Sequence, residues 1–378
     1  MQQYLKKIEI KMLNKFIITH FRNLIDVTFT PLQKGVNLIY GNNGSGKTSV
    51  LEAIYYLSRA RSFRSSTAGR VINHAAESFT IFAELATSCG QITSIGIERQ
   101  LSGALQMRIA GQENRHVAEL ASLLPVQIIN SNCYNLLDAG PIFRRHYLDW
   151  GGFYFSTQFL PAWRNYERTL KQRNAALRDK LPRKELDSWT QKLITHAATL
   201  DSLRRDYVEH LLPLLKQNMQ TMLPRETLEL RYFPGWDETT NYAAILEDSF
   251  GKDMYLGHTQ FGPHRADLKV TINHIPAKDI LSRGQQKLFV CGMIFAQGTL
   301  LEKHTTLRPI YLVDDLPAEL DLTSRSNLMQ LLLSQEAQVF ITAIEEDILN
   351  PLLTQVPHKM FHVEHGNLTE TNCGVITA

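Results

Sequence analysis

The chain has 378 residues, 44% of them hydrophobic and 20% charged, and a net charge of +3. That length allows two domains or one large core carrying an insertion, and the sequence shows no short repeat, low-complexity tract or apolar run near the ~20 residues of a membrane span. A charge so close to zero gives no global argument for nucleic acid, so the distribution along the chain has to decide.

Cys89, Cys133, Cys291 and Cys373 lie far apart with no CxxC pair. This spacing supports neither a disulfide framework nor a zinc site, and it fits a reducing, cytoplasmic setting. Met1 to Lys11 carries lysines without the apolar stretch of a signal peptide. Met12 directly precedes the first strand-like run, so the residues before it read as a dispensable extension.

In chain order, Lys15–Phe21 is rich in aromatic and β-branched residues and predicts a strand. Val36–Tyr40 predicts a second, buried on both faces, which runs into Gly41-Asn42-Asn43-Gly44-Ser45-Gly46-Lys47-Thr48. From Lys47 to Ser58 the apolar positions Val50, Leu51, Ile54 and Leu57 fall on one helical stripe. Phe79–Leu85, Ile92–Glu98 and Leu105–Ile109 read as an antiparallel meander, with a turn at Ser102-Gly103. Pro125–Asn130 reads as a strand returning to the core. Helix formers then dominate from Pro141 to Pro224, with Pro161, Pro182, Pro213 and Pro224 as boundaries or kinks. Strands resume at Leu228–Phe233 and Ala266–Ile272. The tail alternates helix and strand over Arg283–Leu300, Ile310–Val313, Thr323–Ser334 and Gln338–Thr342. Such alternation implies a mainly parallel sheet.

The pattern G-x-x-x-x-G-K-[ST] carries a definite chemistry. Glycines let backbone N–H groups turn toward phosphates, and the helix that follows adds the positive end of its dipole. Lys47 would reach the β and γ phosphates, and Thr48 would offer its hydroxyl to Mg²⁺. At the other end, Ile310–Val313 is an apolar strand ending in Asp314 and Asp315, the form of a Walker B strand. There the first acid orders Mg²⁺ and the second polarises water. Between them, Ser282 stands where it would cap the helix that opens in Ser282-Arg283-Gly284-Gln285-Gln286.

Together with the Ala318–Asp321 loop these segments resemble an ABC-type ATPase head. Within that class the chain resembles the RecF family of bacterial recombination mediators, related to SMC proteins. The matching strings are Phe21-Arg22-Asn23-Leu24, Arg61-Ser62-Phe63-Arg64, the run from Pro141 to Asp149, Gly262-Pro263-His264-Arg265-Ala266-Asp267-Leu268, and Ser282 to Lys287. The resemblance implies a mainly parallel α/β core sheet, an antiparallel β-subdomain and a helical insertion lobe. On that basis residues 1–135 and 253–378 would form the ATPase core and 136–252 the lobe. It further implies that Ser282, Gly284 and Gln285 act in trans on ATP held by another copy, which makes ATP the glue of a homodimer. Gln127 is the Q-loop candidate and would join Thr48 and Asp314 at Mg²⁺. The implied partners are single-stranded and gapped duplex DNA, the RecR and RecO mediators and the RecA recombinase.

Several features separate the rival readings. Asp315 replaces the longer glutamate of many ABC ATPases, as in RecF-like proteins, and predicts slow hydrolysis, a timed clamp more than a motor. Transporter ATPases carry a histidine after the strand ending here in Thr342, and a glycine where Arg283 stands. Both differences weigh against the soluble ATPase of a membrane transporter. A monomeric P-loop kinase would not need Ser282. His258 and His264, with no acidic or cysteine neighbour, make a poor zinc site.

Positive charge concentrates at Arg164, Arg168, Lys171, Arg173, Arg178, Lys180, Arg183 and Lys184. Arg164, Arg168, Lys171 and Arg178 share a helical face opposite Trp163, Tyr166, Leu170 and Leu177. Arg59, Arg61, Arg64 and Arg70 form a second cluster. The first set reads either as a solvated helix face or as a DNA contact, and the second as a contact to a partner's nucleotide or to DNA. If they meet DNA phosphates, binding should be salt-sensitive with little base preference. The insertion has no sustained heptads, which excludes a long SMC-type arm.

Overall fold

The computed structural model describes residues 11–65, 67–223, 227–315, 322–346, 353 and 356–374. The Ala318–Asp321 loop, the boundary at Pro224 and nearly all of the N-terminal extension lie outside them. In chain order the elements are β1 (Lys11–Phe21), β2 (Leu24–Phe29), β3 (Gly35–Tyr40), α1 (Lys47–Arg59), β4 (Ser78–Thr87), β5 (Ile92–Gln100), β6 (Leu105–Ile109), β7 (Gln112–Asn114), α2 (Val117–Leu123) and β8 (Val126–Ile129). Then come α3 (Asn135–Asp138), α4 (Pro141–Phe155), α5 (Phe159–Arg178), α6 (Arg183–Met222), β9 (Leu228–Phe233), α7 (Tyr242–Asp248), α8 (Phe250–Leu256), β10 (Asp267–Ile272), β11 (Ile275–Pro276) and α9 (Ala277–Ile280). The chain continues through α10 (Arg283–His304), β12 (Ile310–Val313), α11 (Leu322–Leu333), β13 (Gln338–Ala343), β14 (His358–Glu364) and β15 (Asn367–Gly374).

The chain divides into two units, one of residues 1–133 and 301–378, the other of 134–300. The first holds two six-stranded sheets. One, ordered β2-β1-β4-β5-β6-β7, is antiparallel throughout and is the expected β-subdomain. The other, ordered β15-β14-β3-β13-β12-β8, is parallel except for its edge strand β15. Its central strands read as unbroken apolar runs because both faces are covered: every residue of β12 and β13 is buried. The apolar stripe of α1 is buried with Phe21, Phe79, Leu312 and Phe340. That core is what orients the loop preceding α1.

The second unit is mainly helical, with a small sheet ordered β11-β10-β9. Helix α6 runs 40 residues straight through Pro213, so this proline ends no helix. Tertiary burial of Leu200, Tyr207, Leu211 and Leu215 outweighs the hydrogen bond the ring removes. Residues 253–300, assigned by sequence to the ATPase core, lie in this unit. There β10 pairs along all of β9, and Gln297 donates to the Tyr147 carbonyl (2.7 Å) and the Tyr207 hydroxyl (2.6 Å).

The stripe of Arg164, Arg168, Lys171 and Arg178 is exposed on α5, while Tyr166, Leu170 and Leu177 are buried. Arg173 is not part of that charged face. It is fully buried, 2.8 Å from Asp253 and 2.6 Å from the Thr259 hydroxyl. Its acid is 80 residues away in sequence, so no local count of charges could pair them.

Candidate nucleotide site

Strand β3 ends at Tyr40, and the chain turns through three glycines of positive φ, Gly41 (146°), Gly44 (79°) and Gly46 (126°), into α1. A Cβ at Gly41 would stand 2.3 Å from the Val363 carbonyl oxygen, so only glycine fits. No side chain caps α1, which leaves its first N–H groups facing outward. The loop's carbonyls are satisfied from behind. Asn23 Nδ2 donates to Gly44 O (3.2 Å) and Ser45 O (3.0 Å), and Gly366 N–H donates to Ser45 O (2.9 Å). Asn23 is itself fixed by the Ser49 hydroxyl at 2.8 Å. The Ser45 hydroxyl is buried and has no partner among the described residues. A phosphate would satisfy these donors, so the loop fits an anion of that kind.

Lys47 is 5% exposed and curls back on the loop, with Nζ 2.8 Å from Gly41 O and 3.1 Å from Asn42 O. The Thr48 hydroxyl donates to Asp314 Oδ1 at 2.9 Å. The parallel register of β12 between β8 and β13 delivers Asp314 to this point. Burial pushes the Asp314 carboxyl above the usual carboxylate range, opposed by its hydrogen bonds from Thr342 and Thr48. Asp315 follows with φ at 51°, a left-handed conformation.

Thr342, read from sequence only as a missing histidine, proves central. Its Oγ1 lies 2.9 Å from Asp314 Oδ1 and 3.4 Å from Asp315 Oδ1, and accepts the Asp315 N–H at 2.9 Å. A polar residue at the buried end of an apolar strand was the available signal.

A cavity of about 690 Å³ opens over the loop, lined by Arg22, Asn23, Lys47, Thr48, Arg64 and Asp315 among others. Glu52, fully buried on α1, organises its cationic wall. It accepts from Arg22 Nε (3.0 Å) and Nη2 (2.7 Å) and from the Ser62 hydroxyl, with Arg64 at 3.6 Å. The strings Phe21-Arg22-Asn23 and Arg61-Ser62-Phe63-Arg64 therefore meet at one carboxylate. Glu52 lies on the side of α1 opposite its apolar stripe, so the helical period gave no sign of its burial.

Gln127 is placed otherwise than the sequence suggests. It is the second residue of β8, buried, and level with Tyr311. That is three residues, or about 10 Å, short of the sheet edge that carries Asp314. Asn130 stands at that level, since Asp314 N–H donates to the carbonyl just before it, Ile129 O, at 2.8 Å.

Lys47, Thr48, Asp314 and Asp315 thus converge within the first unit. Ser282, Gly284 and Gln285 belong to the second, where they form a reciprocal helix cap. Ser282 N–H donates to Gln285 Oε1 (2.9 Å) and Gln285 N–H to Ser282 Oγ (3.3 Å). Ser282 and Arg283 are exposed, and Gly284 has open space where a Cβ would be. Arg283 pairs with Asp138 at 2.8 Å. His264, the histidine weighed against zinc, is held between the Tyr166 hydroxyl (2.6 Å) and Thr259 O (3.1 Å).

The RecF/RecN/SMC N terminal domain model matches residues 12–369. The chain is 44% identical to the DNA replication and repair protein RecF of Shewanella piezotolerans, over 94% of its own length and 99% of that protein's. It is 43% identical to the RecF of Shewanella oneidensis, over 93% and 97%. Among solved structures it superposes on the recombination mediator protein RecF-ATPrS in the RecFOR pathway with a TM-score of 0.83 and 25% identity, covering 96% of this chain and 99% of that one. An Smc head bound to the C-winged helix domain of ScpA matches at a TM-score of 0.62 and 13% identity, over 97% and 98%, a likeness of fold alone.

Proposed function

This chain belongs to the RecF family, and from that premise we propose that it is an ATP-switched DNA-binding protein of recombinational repair and replication. The observation that carries the reading is the convergence of Lys47, Thr48, Asp314 and Asp315 beside the glycine loop, with Gly44, Gly46, Lys47, Thr48 and Asp315 lining one open cavity. Gly41 to Thr48 would hold the ATP phosphates, with Lys47 turning from its carbonyl contacts to the β and γ positions. Thr48 and Asp314, already 2.9 Å apart, are the residues that would hold Mg²⁺. The metal would supply charge neutralisation at the phosphates. Asp315 would orient the attacking water, and its short side chain favours slow turnover.

Ser282, Gly284 and Gln285 would close on the nucleotide of a second copy, so that ATP binding assembles a homodimer. In the dimer the protein would clamp gapped or junction DNA, and hydrolysis would release it. RecR and RecO would be its cytoplasmic partners in helping RecA load. The exposed arginines of α5 support a contact with phosphates more than with bases.

Sedimentation and ATP turnover with and without gapped duplex, for wild type, Lys47→Met and Ser282→Arg, test this reading. Wild type should dimerise with ATP, and both variants should lose dimerisation and turnover. No ATP-promoted dimer of the wild type, or a Ser282→Arg variant that dimerises and hydrolyses normally, would overturn it.

A further inference from the structure

Strands β9 and β10 of the second unit pair antiparallel, which sets Arg231 directly opposite Lys269. Both are exposed, so two cations stand side by side on one face. Like charges at directly opposed positions destabilise a sheet. Arg265 is exposed just before β10, and Arg145 Nη1 reaches the same point, donating to Ala266 O at 2.9 Å.

The acids nearby are already committed. Asp267 is gripped by Arg144 through contacts of 2.6 and 3.1 Å and Asp149 by Arg204 at 2.7 Å, while Glu229 is hydrogen-bonded to the Thr271 hydroxyl at 3.2 Å and lies 3.0 Å from the His274 ring. Arg145, Arg231, Arg265 and Lys269 form no ion pair among the described residues. Arg145 is held below the usual guanidinium range first by burial and then by Arg204, against Asp267 and Asp149. Two opposed cations on the strands, with Arg265 and Arg145 at the start of β10 and none of the four in an ion pair among the described residues, leave positive charge here to meet negative charge from outside.

We propose that the exposed face of the β9–β10 pair, with Arg231, Lys269, Arg265 and Arg145, binds the phosphodiester backbone of nucleic acid. The choice of polyanion rests on the DNA-binding reading above; the site itself rests on the register and the unpaired cations. Contacts from such a surface to phosphate oxygens position the protein on nucleic acid without reading its sequence. The repulsion between Arg231 and Lys269 becomes attraction to a shared phosphate strand.

Fluorescence anisotropy on the full-length chain, with a labelled gapped duplex over ~50–200 mM salt, tests the site. Arg231→Gln/Arg265→Gln/Lys269→Gln should bind about tenfold more weakly, with the slope of log affinity against log salt smaller by about two to three. Affinity for a fluorescent ATP analogue should not change. Arg231→Glu alone places an acid opposite Lys269, so it should raise the thermal midpoint while weakening DNA binding. A triple variant with wild-type affinity and salt slope overturns the proposal. Unchanged DNA binding with lost retention of polyglutamate would assign the face to an acidic protein and overturn it equally. If wild type binds no DNA, the functional reading falls as well; if wild type binds and the triple variant is unchanged, only this site falls.

Discussion

A single hydroxyl proton serves two carboxylates at Thr342. It goes to Asp314 at 2.9 Å in preference to Asp315 at 3.4 Å, while the oxygen accepts the Asp315 N–H. Thr342 thereby holds Asp315 in its left-handed conformation and Asp314 in line with Thr48. Thr342→Val keeps the volume but removes donor and acceptor together. We expect ATP turnover to fall roughly tenfold to a hundredfold with nucleotide affinity within a few-fold of wild type, and Thr342→Ser to restore turnover. Equal losses in turnover and affinity would reduce Thr342 to a structural part.

Asp314 makes a second case. Its carboxyl is raised by burial, so its ionisation opposes folding. That penalty is absent below the unfolded value near 3.8 and grows as pH rises through the higher folded value. Asp314→Asn keeps an acceptor for Thr48 and Thr342 and removes the charge. The thermal midpoint near pH 7.5 should therefore rise by a few degrees while turnover is lost; a lower midpoint would contradict this. Asp314 was legible in sequence because an acid ending an apolar strand is conspicuous. Thr342 was not, because its partners are fixed by the pairing of β12 with β13.

At the scale of elements, strings whose chemistry is dictated by backbone shape were readable. The glycines before α1 and the apolar β12 appear where their patterns put them. Register was not readable. Gln127 and Asn130 lie on one predicted strand, and only its pairing with β12 shows which stands level with Asp314.

The loop between α8 and β10 illustrates the same limit. His264 looked like a possible ligand but is half-buried and held between the α5 residue Tyr166 and Thr259. Burial first, then Arg265, Arg145 and His258, lower its pKa to about 4, against a stabilising bond to Thr259. A depressed histidine gives stability that is complete above about 6.5 and is lost as pH falls toward 4. The thermal midpoint should thus decline across that interval. In His264→Gln, which can keep both hydrogen bonds, the decline should be shallower. Parallel profiles would show that other groups govern acid unfolding.

At the scale of the whole molecule, the parallel sheet is assembled from the two ends of the chain. Strand β3 lies between β13 and β14, and β8 has β12 as its neighbour, so each N-terminal strand of this sheet is completed by residues after 309. One core made from both termini was legible, because its motifs lie at the two ends. The limits of the interrupting unit were not. Ser282 to Gln285, proposed above to meet a nucleotide, are joined to α4 and α6 through the rest of α10. Contacts spanning some 300 positions also make folding slow, since loop closure precedes any gain from pairing. A chain ending at residue 300 would keep the whole phosphate loop but lose Asp314, Thr342 and both neighbours of β3. Val36, Leu38 and Ile39, all fully buried, would then lack their covering strands. Such a fragment should show no measurable binding of a fluorescent ATP analogue and early proteolysis within residues 11–133, although every glycine of the loop is present. Nucleotide affinity within tenfold of the full chain would mean that the loop folds without the strands it is hydrogen-bonded to, and the two-ended core would then not be what holds the site.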